Sequence, residues 1–198
     1  MNVPVNISNV IIETKRLIIR PWRNEDLSDF YEYASVDGVG QMAGWNPHES
    51  KEESKEILKL FIENRNVFAL ELKANRKVIG SIGIEETVID LGEIYSSLRG
   101  REIGYVLSKE YWGQGLMPEA VMRVMDYCYQ DLKCQFLQCS HAAQNGQSKR
   151  VIEKVGFQYV QDYDLTVING DTRKSKVYVK IFPNSAENTL QQRVKREL

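Results

Sequence analysis

Apolar residues recur along the chain with two periods, and each change of period marks a boundary between elements. Between Val10 and Trp22, Leu17, Ile19 and Pro21 alternate against Arg16, Ile18 and Arg20, which predicts a strand. The period then lengthens. Leu27, Phe30, Tyr31 and Ala34 share one helical face, with Asn24 placed as N-cap and Glu25 and Asp26 suited to the helix dipole. A loop rich in turn formers spans Asp37 to His48. Ser50-Lys51-Glu52-Glu53 has the form of a capping box and opens a second helix with an apolar stripe of Ile57, Leu58, Phe61 and Ile62. Two strands follow, Val67 to Lys73 and Lys77 to Ile84, joined by Ala74-Asn75-Arg76 as a hairpin, and Glu85 to Gly100 reads as a longer connection.

A further strand covers Arg101 to Ser108. The helix after it reaches Leu132, with Val121, Val124, Met125, Cys128 and Leu132 on one face and Glu119, Arg123, Asp126 and Gln130 on the other. Phe136 to Ser140 is a strand and Asn145 to Val155 a helix stopped by Gly156. Phe157 to Tyr163 and Lys174 to Phe182 close the pattern, and the polar stretch Asn184 to Leu198 reads as a peripheral tail. The order β, α, α, β, β, β, α, β, α, β, β predicts a single domain of the α+β (mixed α/β) class. Its core runs from about residue 10 to about 183, with about seven strands in a mixed sheet covered by about four helices.

The junction from Glu102 to Ala120 carries the strongest chemical signal. A strand passes through Gly113-Gln114-Gly115 into a helix, and such a junction presents unpaired N–H groups and a positive dipole end, a site for phosphate or pyrophosphate. It is not a Walker A loop, because Leu116 and Met117 follow Gly115 where Lys-Ser/Thr is required. It is not a Rossmann fingerprint, because Pro118 stands where the third glycine belongs. Proline is tolerated there, in a first helical turn.

Composition narrows the setting. The 198 residues suffice for one domain with a sizeable core, and 42% hydrophobic with 27% charged residues is ordinary for a globular protein. A net charge of −1 gives no support for general nucleic-acid binding. Cys128, Cys134 and Cys139 lack metal-ligand spacing, and an odd number argues against a disulfide framework and for a reducing compartment. His48 and His141 are too few for a histidine-rich metal site, so no metal is expected. No run is long or apolar enough to span a membrane, and the N-terminus lacks a signal peptide's layout. A cytoplasmic protein with no membrane partner is the expectation.

Four pieces, in this order, resemble the GNAT superfamily of acetyl-CoA-dependent N-acetyltransferases. They are Glu13-Thr14-Lys15-Arg16-Leu17-Ile18-Ile19-Arg20; Met42-Ala43-Gly44-Trp45-Asn46-Pro47-His48; Glu102-Ile103-Gly104-Tyr105 with Tyr111-Trp112-Gly113-Gln114-Gly115; and Asn145-Gly146-Gln147-Ser148 running into Glu153-Lys154-Val155-Gly156-Phe157. The branch they resemble is the ribosomal-protein-alanine N-acetyltransferase-like (RimJ/RimL-like) enzymes, which modify N-terminal amines. Glu110 departs from the superfamily's usual Gln or Arg at the start of the phosphate loop.

The resemblance implies acetyl-CoA as donor. It implies pyrophosphate binding by backbone groups of Trp112, Gly113, Gln114, Gly115, Leu116 and Met117, and pantetheine binding between two splayed strands by backbone groups of Val106 and Leu107. One N–H near the thioester carbonyl is worth roughly 10²–10³ in rate. Asn145 reads either as a pantetheine contact or as a helix cap. The tyrosine many members carry to protonate the thiolate aligns with Ile152 here, which leaves Ser148 as the candidate hydrogen-bond donor to the thiolate, or simply a small first-turn residue. Glu102 is the candidate general base, or a structural strand carboxylate. Trp45 and His48 sit in the loop expected to wall the acceptor site, His48 more in keeping with a bracing role than with a base.

Three functions follow. The first is acetylation of a protein or peptide N-terminal amine, whose pKa of about 8 leaves a usable neutral fraction. The second is acetylation of a small amine such as a polyamine, amino acid or antibiotic. The third is a non-catalytic CoA-binding sensor. A ribosomal-protein target favours acidic side chains near the acceptor groove, with Glu49, Glu52 and Glu53 as candidates. An exposed strand near the C-terminus offers an edge for a homodimer.

Overall fold

The computed structural model describes residues 1–166 and 172–183. The expected first strand is two: β1 (Ile12–Glu13) and β2 (Leu17–Pro21). Thr14 makes the break. Its hydroxyl oxygen accepts the Arg16 and Leu17 N–H groups at 3.2 and 2.8 Å, which folds the chain back on itself.

Helix α1 (Leu27–Ala34) follows a 3-10 turn at Asn24–Asp26. Asp26, rather than Asn24, stands at its N-cap position, without a side-chain bond to the helix; its buried carboxylate closes the preceding 3-10 turn, accepting the Arg23 N–H at 2.8 Å, and pairs with both terminal nitrogens of Arg20. The buried face is Phe30, Tyr33 and Ala34, with Tyr31 only half-buried. The loop after α1 contains a one-turn helix, α2 (Gly40–Ala43), ended by Gly44 at φ 96. Helix α3 (Lys51–Asn64) is capped by Ser50, whose hydroxyl accepts the Glu53 N–H at 3.1 Å.

The hairpin β3 (Val67–Leu72) and β4 (Val78–Glu85) stands as expected. The long connection holds α4 (Glu93–Ser96) before β5 (Gly100–Leu107). Then come α5 (Leu116–Gln130), β6 (Phe136–Ala142), α6 (Gly146–Lys154), β7 (Gln158–Thr166) and β8 (Thr172–Ile181). Among the described residues there are thus eight strands and six helices, against about seven and four expected. The additions are the split of the first strand and the two one-turn helices. The tail expected over Asn184 to Leu198 lies outside the described residues.

The sheet order is β1-β2-β3-β4-β5-β6-β8-β7. Every neighbouring pair is antiparallel except β5 and β6, which are parallel. One face packs on α5 and α6, where Leu116, Ala120, Val124 and Cys128 meet Ile82, Ile103 and Leu137. The other packs on α1 and α3, where Trp22, Phe30, Tyr33 and Leu58 meet Val67, Ala69 and Val78. The free edge near the C-terminus is β7, since β8 is held on both sides.

Candidate active site

Strands β5 and β6 pair only from Gly100 to Glu102 against Phe136 to Gln138. Both continue, β5 to Leu107 and β6 to Ala142, each held on its outer side by β4 or β8. A gap therefore opens between them. A cavity of about 800 Å³ occupies it, within the usual range of ligand sites, about 300–1,000 Å³.

Hydrogen-bond alternation decides which backbone groups of β5 face the gap. Ser108 N–H donates to Ile79 C=O at 2.8 Å, so it belongs to a hydrogen-bonded pair with β4. In an antiparallel ladder such pairs alternate. With Val106 opposite Ser81 and Gly104 opposite Gly83, the groups of Val106 and Gly104 turn towards β4. Those of Tyr105 and Leu107 turn into the gap. This corrects the expectation for Val106: its side chain lines the cavity, while its N–H and C=O belong to the β4 ladder. Leu107 keeps its N–H for the gap, and its C=O accepts the Trp112 indole N–H at 2.8 Å.

The turn into α5 stands at one end of the cavity. Gly113 and Gly115 both have φ 76, the left-handed region that favours glycine. Gly113, Gly115, Leu116 and Met117 line the cavity, and the first amides of α5 precede any intrahelical acceptor. Trp112 lines it too, but its amide donates to Lys109 C=O at 3.2 Å, so it contributes a wall rather than a donor. Gln114 is a correction. It is exposed and outside the cavity lining, its amide donating to Glu110 C=O and its own C=O accepting from Arg16. Glu110 is likewise exposed and does not line the cavity.

Asn145 and Ser148 lie in the opposite wall, at the start of α6. Asn145 Oδ1 accepts the Ser148 N–H at 3.0 Å, so the cap is real. Its Nδ2 donates to Met42 C=O at 3.4 Å, a long bond at the cavity's rim. The Ser148 hydroxyl lies 2.9 Å from the Tyr105 hydroxyl, which reaches across the gap from β5. Ile152 is buried at the position of the absent helix tyrosine.

Glu102 lies in the cavity wall on β5. Its carboxylate accepts from Gln138 Nε2 and Ser140 Oγ, each at 2.8 Å. Burial pushes its pKa above the ordinary carboxylate range, against the lowering effect of those two donors and with a smaller push from Glu85. Gly104, two residues on, leaves open space where a side chain would stand. A raised pKa and open approach suit a general base.

Trp45 and His48 do not line this cavity, contrary to expectation. The Trp45 ring sits over Gly40, where a Cβ would be 2.2 Å from it. His48 is buried, with Nδ1 2.7 Å from Ser54 Oγ and its ring between Phe30 and Trp45. Burial lowers its pKa, opposed by Glu53. These residues brace the loop from behind. Its exposed edge, Met42 to Gly44, is what reaches the cavity.

Sequence reasoning gave no role to Tyr105, Arg150 or Lys154, all of which line the cavity. The two cations lie one turn apart on α6 and suit an anionic donor. For Tyr105 the available signal was Ile152: without the helix tyrosine, a second hydroxyl has to come from elsewhere. Among the described residues, no group of three or more His, Cys, Asp or Glu is placed to hold a metal ion.

A sheet split at its one parallel pair, with a helix N-terminus at the split and a half-buried carboxylate on its lip, defines an acyl-CoA-dependent acyltransferase. The unpaired strand edges, glycine turn and α6 cations fit a pantetheine arm carrying a pyrophosphate. The chain belongs to the GNAT acetyltransferases: residues 16–158 match the family described as Acetyltransferase (GNAT) domain. It is 28% identical over 153 residues to the Bacillus subtilis (strain 168) protein described as "Uncharacterized N-acetyltransferase YoaA", covering 75% of this chain and 82% of that one. An acetyltransferase (GNAT family) from Bacillus anthracis superposes with a TM-score of 0.74 at 20% identity, over 87% of this chain and 98% of that one. A ribosomal-protein-S5-alanine acetyltransferase from Vibrio fischeri does so with a TM-score of 0.69 at 21% identity, over 89% and 98%. The protein is an acetyl-CoA-dependent N-acetyltransferase.

Proposed function

We propose that this protein acetylates the N-terminal α-amino group of a protein or peptide, in a cytoplasmic setting. The observation that carries the choice of acceptor is the shape of the cavity beside Glu102. Met42 and Val88 both line it and are 41% and 76% exposed. That side is therefore open, with apolar edges between which an extended chain can leave. A small amine calls for a closed box. Similarity to ribosomal-protein acetyltransferases supports the same reading.

Transfer is direct. Glu102, itself or through one water, takes a proton from the attacking amine, and its raised pKa makes it a better base than a surface carboxylate. An N-terminal amine of pKa about 8 requires little help. The gap-facing N–H groups of Tyr105 and Leu107 are the donors available to the oxyanion of the tetrahedral intermediate. Ser148 supplies a hydrogen bond to the departing thiolate.

The test is release of free thiol from acetyl-CoA against a panel of N-terminal peptides and small amines. Turnover on peptides beginning with Ala or Ser, with none on free amines, is the expected result. Turnover on small amines alone replaces this reading with the second, and CoA binding without turnover on any amine favours the sensor.

A further inference from the structure

We propose that Tyr105 is a positioning residue for the leaving group: its hydroxyl holds the Ser148 hydroxyl aimed into the gap, where the sulfur of CoA leaves as thiolate. The inference rests on the reading of Ser148 as thiolate donor and adds a second hydroxyl behind it.

The geometry is specific. Tyr105 projects from the lip of β5 and Ser148 from the first turn of α6, on opposite sides of the gap. The phenol oxygen lies 2.9 Å from Ser148 Oγ and 3.2 Å from Ser148 C=O. The phenol has one proton and two acceptors on the same residue. When it points at the carbonyl, the phenol oxygen is free to accept the serine proton. When it points at Oγ, the serine proton is released towards the cavity. A thiolate selects the second arrangement, in which Tyr105 O–H donates to Ser148 Oγ and Ser148 O–H donates to sulfur. No proton changes owner and no phenolate forms, which is consistent with a phenol whose pKa burial holds high.

Without the phenol, a serine in this position has another choice. A hydroxyl in a first helical turn readily bonds a preceding backbone carbonyl, which turns it away from the gap. Tyr105 also takes the place of the missing helix tyrosine by a different route. Ile152 fills that position with buried hydrocarbon, while Tyr105 brings a phenol from the strand to Ser148 on the same helix.

The prediction concerns binding, so it is read without an acceptor. A site that prefers thiolate lowers the pKa of bound CoA, and CoA then binds more tightly as pH rises towards the pKa of the free thiol, an alkyl thiol less acidic than cysteine at about 8.5. Desulfo-CoA, which lacks the sulfur, shows no such gain. Other titrating or charged groups facing the gap are Glu102 of β5, Cys139 and His141 of β6, Arg150 and Lys154 of α6, and Arg173 of β8. Tyr111, ahead of α5, also lines it. Their effect on the parts the two ligands share cancels in the ratio of the two Kd values, and their effect on the sulfur is common to wild type and variants.

The experiment measures that ratio from about pH 7 to about pH 10, beyond the cysteine value of about 8.5, for wild type, Tyr105→Phe, Ser148→Ala and the double variant. The expected wild-type result is a preference for CoA that grows with pH. Each single substitution removes about a tenfold gain, the double no more than either, with desulfo-CoA binding unchanged throughout. A normal gain in Tyr105→Phe with a lost gain in Ser148→Ala overturns the role of Tyr105 alone. A normal gain in Ser148→Ala overturns the underlying reading of Ser148. Losses that multiply in the double variant show Tyr105 acting independently of Ser148, and also overturn the proposal.

Discussion

Arg16 and Glu119 join the start of β2 to the first turn of α5 by a two-point contact. Arg16 Nε donates to Glu119 Oε2 at 2.8 Å and its backbone N–H to Oε1 at 2.9 Å, while Nη1 reaches the Gln114 C=O at 2.9 Å. The same guanidinium thus holds the helix and the glycine turn ahead of it. Glu119 reads in the sequence as an outward-facing acid; the structure makes it the anchor of the phosphate turn.

Replacing Arg16 by Ala should therefore weaken CoA binding more than it weakens the fold. The ion pair is 40% and 20% exposed, so its share of stability is about 1 kcal/mol or less. CoA affinity should fall about five- to tenfold as the turn loosens, a loss of order 1 kcal/mol. Calorimetric titration beside a thermal melt separates the two effects.

Gly115→Ala tests the turn itself. A Cβ there would sit 3.7 Å from Arg16 Nη2, ordinary contact, so space is not the obstacle. The obstacle is φ 76, which costs an L-residue about 1–2 kcal/mol. The variant should lose about that much stability, measured by urea unfolding, and bind CoA more weakly.

Glu102→Gln should separate activity from stability. Turnover should fall about 10²-fold or more, as expected for loss of a general base, with the KM for acetyl-CoA little changed. Wild-type kcat/KM should rise with pH through the raised pKa of Glu102, and the variant should lose that limb. The sign for stability is opposite. A carboxyl with a raised folded pKa contributes stability below its unfolded pKa, about 4.3, and loses it as pH rises through the folded value. At neutral pH the uncharged glutamine should therefore melt no lower than wild type.

His48→Ala should do the reverse. His48 is buried against Phe30 and Trp45, so its truncation should cost about 2 kcal/mol or more of stability. CoA affinity should remain unchanged. Burial lowers its pKa, so its stabilising contribution is present above the unfolded value of about 6.5. That contribution should fade as pH drops through the lowered folded value. Melts of wild type and variant from about pH 7.5 to about pH 5 should converge as His48 protonates.

The sequence by itself determined the elements whose cause is local. Alternation and helical periods located the seven expected strands and four longer helices. The Ser50 cap, the glycine turn at 113–115 and the Gly156 stop were legible because each answers a requirement of its own few residues. The Thr14 break was equally local and passed unread, because Leu17 to Pro21 continues the same apolar pattern beyond it.

Only the tertiary structure decided which groups share the gap. Periodicity assigns a residue to a face; it does not say which ladder takes its N–H, and that is why Val106 was expected beside Leu107, where Tyr105 stands. The Tyr105 and Ser148 hydroxyls are 43 residues apart in sequence, and Arg16 and Glu119 are 103 apart. His48 and Trp45 fall in a loop expected to wall the acceptor site, and position in that loop does not say which way a ring turns. Packing of His48 against Phe30 and of Trp45 over Gly40 holds both rings behind the cavity, where these contacts shield apolar surface from water.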